Sequence, residues 1–367
     1  MRWWIRCLLC VAVVVAVLMP TVFAEDLGEL QRDSVDVSGV ESAAPDVLTG
    51  FDPMDGNQIS SWFDRLKDKA LSSVGDILRN ALGSGVKLML ILFFCTAADS
   101  LGEAAGGLTR QSTRLAGAAG VALVALGDVR TLIGLGGETI RQLSDFTTLL
   151  MPTMTTVAMA GGAAASAPVQ QGITLLCSNL LIKLIYNVLL PLTWAYAAGS
   201  IANAALDGGR LKPLCNLLQW IVKTTLTVLL ILYSGYITLA GTAAHAADTA
   251  AMKAAHVAIS GMIPVVGGIL SDATDAVLSG ASILRNSIGL FGVAGVLGFC
   301  LVPLIRLSIQ FLLYRFVTAL SAMVTDHPAV KLIGDLSGVF VLVMAMTGAC
   351  AIVVLFALIQ IISVVVP

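Results

Sequence analysis

Charge is what this chain has least of. Only 12% of its 367 residues are Asp, Glu, Lys or Arg, while 57% are hydrophobic; the charged share is about half that of an average globular protein. So few charges cannot clothe a soluble surface, and the composition is that of a membrane protein. Basic residues never run together long enough to follow a phosphate backbone, and the net charge is −2, which leaves nucleic acid without a binding surface. Histidine is scarce too: His245, His256 and His327 are too dispersed for zinc ligation, so no metal is expected. No GxxxxGK[ST] string occurs. The nearest glycine cluster, GLGGE at Gly134 to Glu138, lacks the lysine and the preceding strand of a phosphate loop. No serine sits in a Gly-x-Ser-x-Gly elbow. No catalytic residue, cofactor or enzymatic activity is therefore expected. Of the seven cysteines, the five beyond residue 24, Cys95, Cys177, Cys215, Cys300 and Cys350, have no CxxC neighbour and lie mostly in apolar stretches, where the thiol behaves as a small hydrophobe.

What is present is long apolar segments and a polar start. Residues 1–24 combine Arg2 and Arg6, an apolar run from Cys7 to Met19, Pro20, and small residues at Val22 and Ala24. This pattern is a secretory signal cleaved after Ala24 or, alternatively, an anchor helix that is retained. Residues 25–60 hold nine carboxylates against Arg32 alone, with scattered Gly and Pro, and read as a flexible acidic tail outside the membrane. Residues 61–82 place Trp62, Phe63, Leu66, Ala70, Val74, Ile77 and Leu78 at three- and four-residue intervals. That periodicity predicts an amphipathic helix, lying in the interface or covering the protein's own surface.

From residue 83 to 367 the chain reads as a transmembrane domain. Crossings are expected near Val86 to Leu101, Leu115 to Leu135, Gly172 to Ile201, Leu217 to Ala240, Ser287 to Tyr314 and Ile333 to Ile362. Two further apolar stretches, Leu149 to Pro168 and Gly261 to Gly280, carry Pro152 and Pro264, with small residues just after each. Proline removes a backbone donor and glycine lets the chain reverse. In lipid an interrupted backbone survives only when protein or a cavity shelters it, so both stretches are expected to be re-entrant helical hairpins. Pro152 precedes Pro191 by 39 residues, Pro264 precedes Pro303 by 39, and the two pairs are offset by 112. Crossing, hairpin, crossing thus repeats over about 115–206 and 217–320, an internal duplication. The fold class is an all-α polytopic membrane protein with about six transmembrane helices plus the two hairpins. With the tail outside, Arg110, Arg114, Arg210, Lys212, Arg315 and Lys331 all fall on the cytoplasmic side, as the positive-inside rule prefers.

Charges within apolar segments are informative because each costs about 2.5–3.5 kcal/mol at a helix centre on insertion scales. Asp128, Arg130, Lys183, Lys223, Arg285 and Arg306 either line a polar path between the repeats or snorkel to the interface. Asp272 and Asp275 share a helix face and either contact an ion or form a solvated helix start. Gly289, Gly292, Gly295 and Gly298 recur every three residues in one crossing, a face for close helix packing.

The run GMIPVVGGILSDATDAVLSGASILRNSIGLFGVAG (Gly261 to Gly295), with LLPLTWAYA (Leu189 to Ala197) and the signal-plus-acidic-tail start, resembles the stage III sporulation protein AE family of endospore-forming bacteria. The resemblance implies a multi-pass protein of the cell membrane, in the mother-cell membrane around the forespore. It also implies partners: other stage III sporulation membrane subunits, an ATPase, and ring-forming proteins in the intermembrane space, joined in a channel complex. On that footing the expectation is a permease-like or conduit core gated by Pro152, Pro264, Gly267 and Gly268. Two rivals stand beside it: a non-transporting scaffold that recruits ring proteins, and a secondary transporter unrelated to sporulation.

Overall fold

The structure is a computed structural model that describes residues 44–45, 48, 59–103, 107–160, 167–205, 210–262, 267–325 and 327–363. These form helices α1 (Ile59–Glu103), α2 (Gly107–Ala160), α3 (Ala167–Leu184), α4 (Leu190–Ala205), α5 (Lys212–Met262), α6 (Gly267–Ala322) and α7 (Pro328–Ser363). A π-helical turn, Ile185–Leu189, joins α3 to α4. No strand occurs among the described residues.

Among the described residues six stretches are long and apolar enough to cross a membrane: Asp64–Ala98, Ala116–Met159, Pro168–Ala205, Lys212–Ala240, Asn286–Ala322 and Pro328–Gln360. Each contains or overlaps one of the six crossings expected from hydropathy. Successive spans alternate in direction, α3, the π turn and α4 forming one span. At one end, the last turns of α1 meet the first turns of α2, where a side chain on Gly117 would touch Cys95 and His327. At that same end Tyr196 of α4 reaches Asp335 of α7, Leu211 is tied to Asn203, and Gly334 of α7 lies against Thr318 of α6. Arg210, Lys212, Arg315 and Lys331 therefore gather at this end. At the other end Thr174 of α3 bonds Tyr236 of α5 and Gln360 of α7.

The bundle is built around α7. In the most apolar part of its span 72% of residues are buried in protein, against 17% for the α5 span; α7 packs most extensively on α6, then on α2, and touches α3, α4 and α5 as well. Lipid tails are as apolar as leucine, so close packing rather than solvent exclusion holds such helices together. Glycine notches supply it. Val343 of α7 fills the notch at Gly136 of α2, and Phe146 and Leu150 of α2 fill those at Gly295 and Gly292 of α6. The Phe146 ring also meets Phe299 edge-on, with centroids 5.6 Å apart. The start of α7 is set by local chemistry: Pro328 occupies the first helical position, where its missing N–H costs nothing, and His327 Nδ1 accepts the Ala329 N–H at 3.1 Å.

Several expectations change here. Pro152 is no break: α2 runs on past it to Ala160, and the chain between Ala160 and Ala167 lies outside the described residues. Threonines around Pro152 bond backbone carbonyls one turn back, as Thr155 does to Met151 and Thr156 to Pro152. Pro191, in contrast, follows directly on the π turn, in which Leu190 N–H bonds Ile185 O; widening the helix there removes the clash between the proline ring and the preceding turn. Pro264 lies outside the described residues, and Gly267 and Gly268 open α6. The expected amphipathic helix at 61–82 is continuous with the first crossing in α1. Trp62 and Leu66 of its apolar face are buried whereas Leu78 of the same face is exposed, so the start of that face packs on the protein's own core and its end faces outward. Within the acidic tail Leu48 is buried, and Pro45 lies 2.8 Å from where a Gly298 side chain would begin; this short piece is packed rather than free.

Candidate functional site: polar groups in and along the bundle

Asp128 of α2 is the point where three helices meet through polar atoms. Its Oδ1 accepts the Ser84 hydroxyl of α1 at 3.1 Å, and its Oδ2 accepts Gln310 Nε2 at 2.9 Å and the Tyr314 hydroxyl at 2.8 Å, both from α6. Gln310 and Tyr314 stand four apart and so share a face. Gly85, beside Ser84, lets Leu313 of α6 come within 3.0 Å of where a side chain would start, which draws α1 onto α6 at this level. The fully buried Tyr314 ring is fixed edge-on to Phe340 of α7, with centroids 4.8 Å apart. The carboxylate thus couples α1, α2 and α6 in a stretch of bundle that is otherwise apolar.

A second polar set lies toward the opposite end, between α3, α5 and α7. Thr174 bonds Tyr236 at 3.1 Å and Gln360 Oε1 at 3.2 Å, and Ser178 bonds Tyr233 at 2.8 Å. Gln170, one turn before Thr174, is buried and both of its amide heavy atoms lack hydrogen bonds.

The third arrangement is on the outside. Gly127, Thr131, Gly134, Glu138, Arg141, Asp145, Thr148, Pro152 and Thr156 follow one another at three- and four-residue steps, and all are exposed. This row on α2 is polar or small along its length, and exposed Leu123, Leu126, Leu149 and Met159 flank it. Arg141 bonds Glu138 twice, at 2.9 and 3.1 Å, and lies 4.0 Å from Asp145. The side chains of Arg141, Glu138 and Asp145 are 60%, 47% and 65% exposed. Depth does not explain all of this polarity. A side chain on Gly137 would sit 3.2 Å from Leu190 and 3.6 Å from Tyr186, which sets α2 and the α3–α4 helix level with each other in opposite directions. Moving outward from that point, Asp145, Thr148, Pro152 and Thr156 come level with Leu180, Leu176, Ile173 and Val169, all exposed and all apolar. At the depth of Leu180 to Val169, then, α3 presents apolar side chains and α2 presents one carboxylate and two hydroxyls, whereas Glu138 and Arg141 are level with Asn187 and Lys183, which are exposed on the α3–α4 helix.

The model of the family described as stage III sporulation protein AE matches residues 52–365 of this chain. The chain belongs to the stage III sporulation protein AE family. Stage III sporulation protein AE of Bacillus subtilis (strain 168) is 27% identical over 215 residues, which cover 59% of this chain and 54% of that relative; the alignment spans about half the length of the curated relative. No solved structure matches the chain.

All three polar arrangements of this AE-family chain fall within the matched region. Of the charges singled out in the sequence whose side chains are described, the structure ties only Asp128 to neighbouring helices by hydrogen bonds. Arg130, Lys183 and Lys223 are exposed on α2, α3 and α5, and Arg306 is half-buried on α6, so they do not converge on one interior path; long basic side chains reach outward along the helix surface at little cost. Arg285, Asp272 and Asp275 belong to α6, but their side chains lie outside the described part. Gly289 is buried, Gly292 and Gly295 receive α2, and Gly298 receives Pro45. Residues overlooked in the sequence are Ser84, Gln310 and Tyr314 around Asp128, and Gln170, Thr174 and Ser178, whose steps of four on one helix face were a usable signal.

Proposed function

We propose that this AE-family protein is a membrane-embedded, permease-like conduit core of the sporulation complex between mother cell and forespore, seated in the mother-cell membrane. The observation that carries this reading is the polar outward face of α2 at a depth where α3 is apolar. A charged side chain facing acyl chains costs far more than an exposed ion pair one turn apart returns, so such a face borders water or protein. The family name and the six spans support the membrane setting, and the four basic residues gathered at one end support a cytoplasmic placement of that end. A partner ATPase supplies energy, and ring-forming proteins continue the path on the outer side. The 39-residue spacing of Pro152 from Pro191 and of Pro264 from Pro303 supports a duplicated unit. We place the gate beside the start of α6, with Gly267 and Gly268 as hinge positions.

Sporulation efficiency, read beside protein level in membranes, separates this reading from a scaffold. Arg141→Leu with Asp145→Leu is expected to abolish sporulation at unchanged membrane level, as is Gly267→Val with Gly268→Val. Deleting residues 26–42, which spares the packed Pro45 and Leu48, is expected to be tolerated. A scaffold predicts the reverse: the truncation is lethal to sporulation and the apolar stripe is harmless.

A further inference from the structure

We infer that the outward face of α2 stands against the α2 face of a second copy of this chain, the two enclosing a water-filled seam. The inference rests on the conduit reading and says what closes the path. Inside one chain the position a pore would need is taken by α7, the most buried of the spans, so a polar path has to run along the outside of the bundle and be walled by something else. The stripe from Gly127 to Thr156 rises about 44 Å at 1.5 Å per residue, more than the ~30 Å hydrocarbon core, so it borders the membrane through its full depth. Its charge points to the occupant. Arg130 and Arg141 are balanced by Glu138 and Asp145, giving a face with both signs and no net charge, one that can oppose its own copy without repulsion; a strongly acidic or basic partner would meet no complement here. Copies related by an axis along the membrane normal bring identical residues to the same depth, where Arg141 of one copy can reach Glu138 or Asp145 of the next. Gly127 and Gly134 leave room: a side chain added at either would meet nothing within 4 Å.

Single cysteines placed in the full chain after replacing the native seven test this. Positions Thr131, Thr148 and Thr156 on α2 are compared with Leu176 on α3 and Ile231 on α5, in membranes treated with a short homobifunctional thiol crosslinker. Crosslinked dimer is expected at the α2 positions about tenfold above the α3 and α5 controls, because neighbours held in register have a high effective concentration. Dimer no higher than at Leu176→Cys overturns the inference, as does an α2 adduct formed only with a different subunit or with none. Failure here is distinguishable from failure of the conduit. Crosslinks report what faces α2, so they can be absent while the Arg141/Asp145 variant still stops sporulation, and present while that variant sporulates normally.

Discussion

Asp128→Leu is expected to lower the melting temperature of the detergent-solubilised protein by several degrees and to reduce its level in membranes, whereas Arg130→Leu, two residues away, changes neither. The difference is geometric. Asp128 takes hydrogen bonds from Ser84, Gln310 and Tyr314, while Arg130 is exposed. Interhelical hydrogen bonds in membranes average about 0.6 kcal/mol each, so three contribute roughly 2 kcal/mol, and stranding the buried donors adds a penalty of about 1–3 kcal/mol apiece. Against a total stability of order 5–15 kcal/mol the loss is large. Asp128→Asn keeps one accepting oxygen and is expected to fall between. Adding Gln310→Leu and Tyr314→Phe to Asp128→Leu should restore part of the loss, because the stranded donors go with it. Melting of Asp128→Leu at the wild-type temperature would show that the carboxylate does not hold α1, α2 and α6 together.

Gly295→Leu is expected to be as damaging, for the opposite reason. The Phe146 ring occupies the space a side chain would need, and at Gly292 the same space lies 2.6 Å from Leu150 and 3.1 Å from Leu358. Neither neighbour can retreat: Phe146 is fully buried and meets Phe299 edge-on, and Leu150 and Leu358 are fully buried too. Overpacking a close-packed site costs about 1–3 kcal/mol, and with helix association in lipid resting on close approach, α6 would be levered off α2. Gly235→Leu is the control, since a side chain there meets nothing within 4 Å. Equal thermal stability for the two variants would contradict the notch.

The spans were legible because a run of twenty apolar residues has a single reading in a chain this poor in charge. The six expected crossings differ from the observed ones chiefly at their ends: the amphipathic start of α1 and the Pro152 stretch of α2 extend their spans as continuous helix. Pro152 misled because a membrane helix can carry an interior proline without breaking, and nothing in the local string says whether it does. Asp128 was legible as an interior charge; its partners were not, since Ser84 and Tyr314 lie 44 and 186 residues away and only packing joins them. The three-residue glycine series marked a close-packing face but not which residues fill it. The polar face of α2 was hidden for another reason: hydropathy averages around a helix, so Glu138, Arg141 and Asp145 are diluted by Ile140, Leu143 and Phe146 behind them, and only burial separates the two sides.

That separation is the claim on which the functional account stands, and spin-label accessibility reads it directly. Nitroxides at Thr148 and Thr156 of α2 and at Leu176 and Val169 of α3, in lipid vesicles, would be challenged with oxygen, which concentrates in acyl chains, and with a water-soluble nickel chelate. The account predicts chelate-dominated relaxation on α2 and oxygen-dominated relaxation at the matching depth on α3. Oxygen-dominated relaxation at both would place the α2 face in lipid and contradict it.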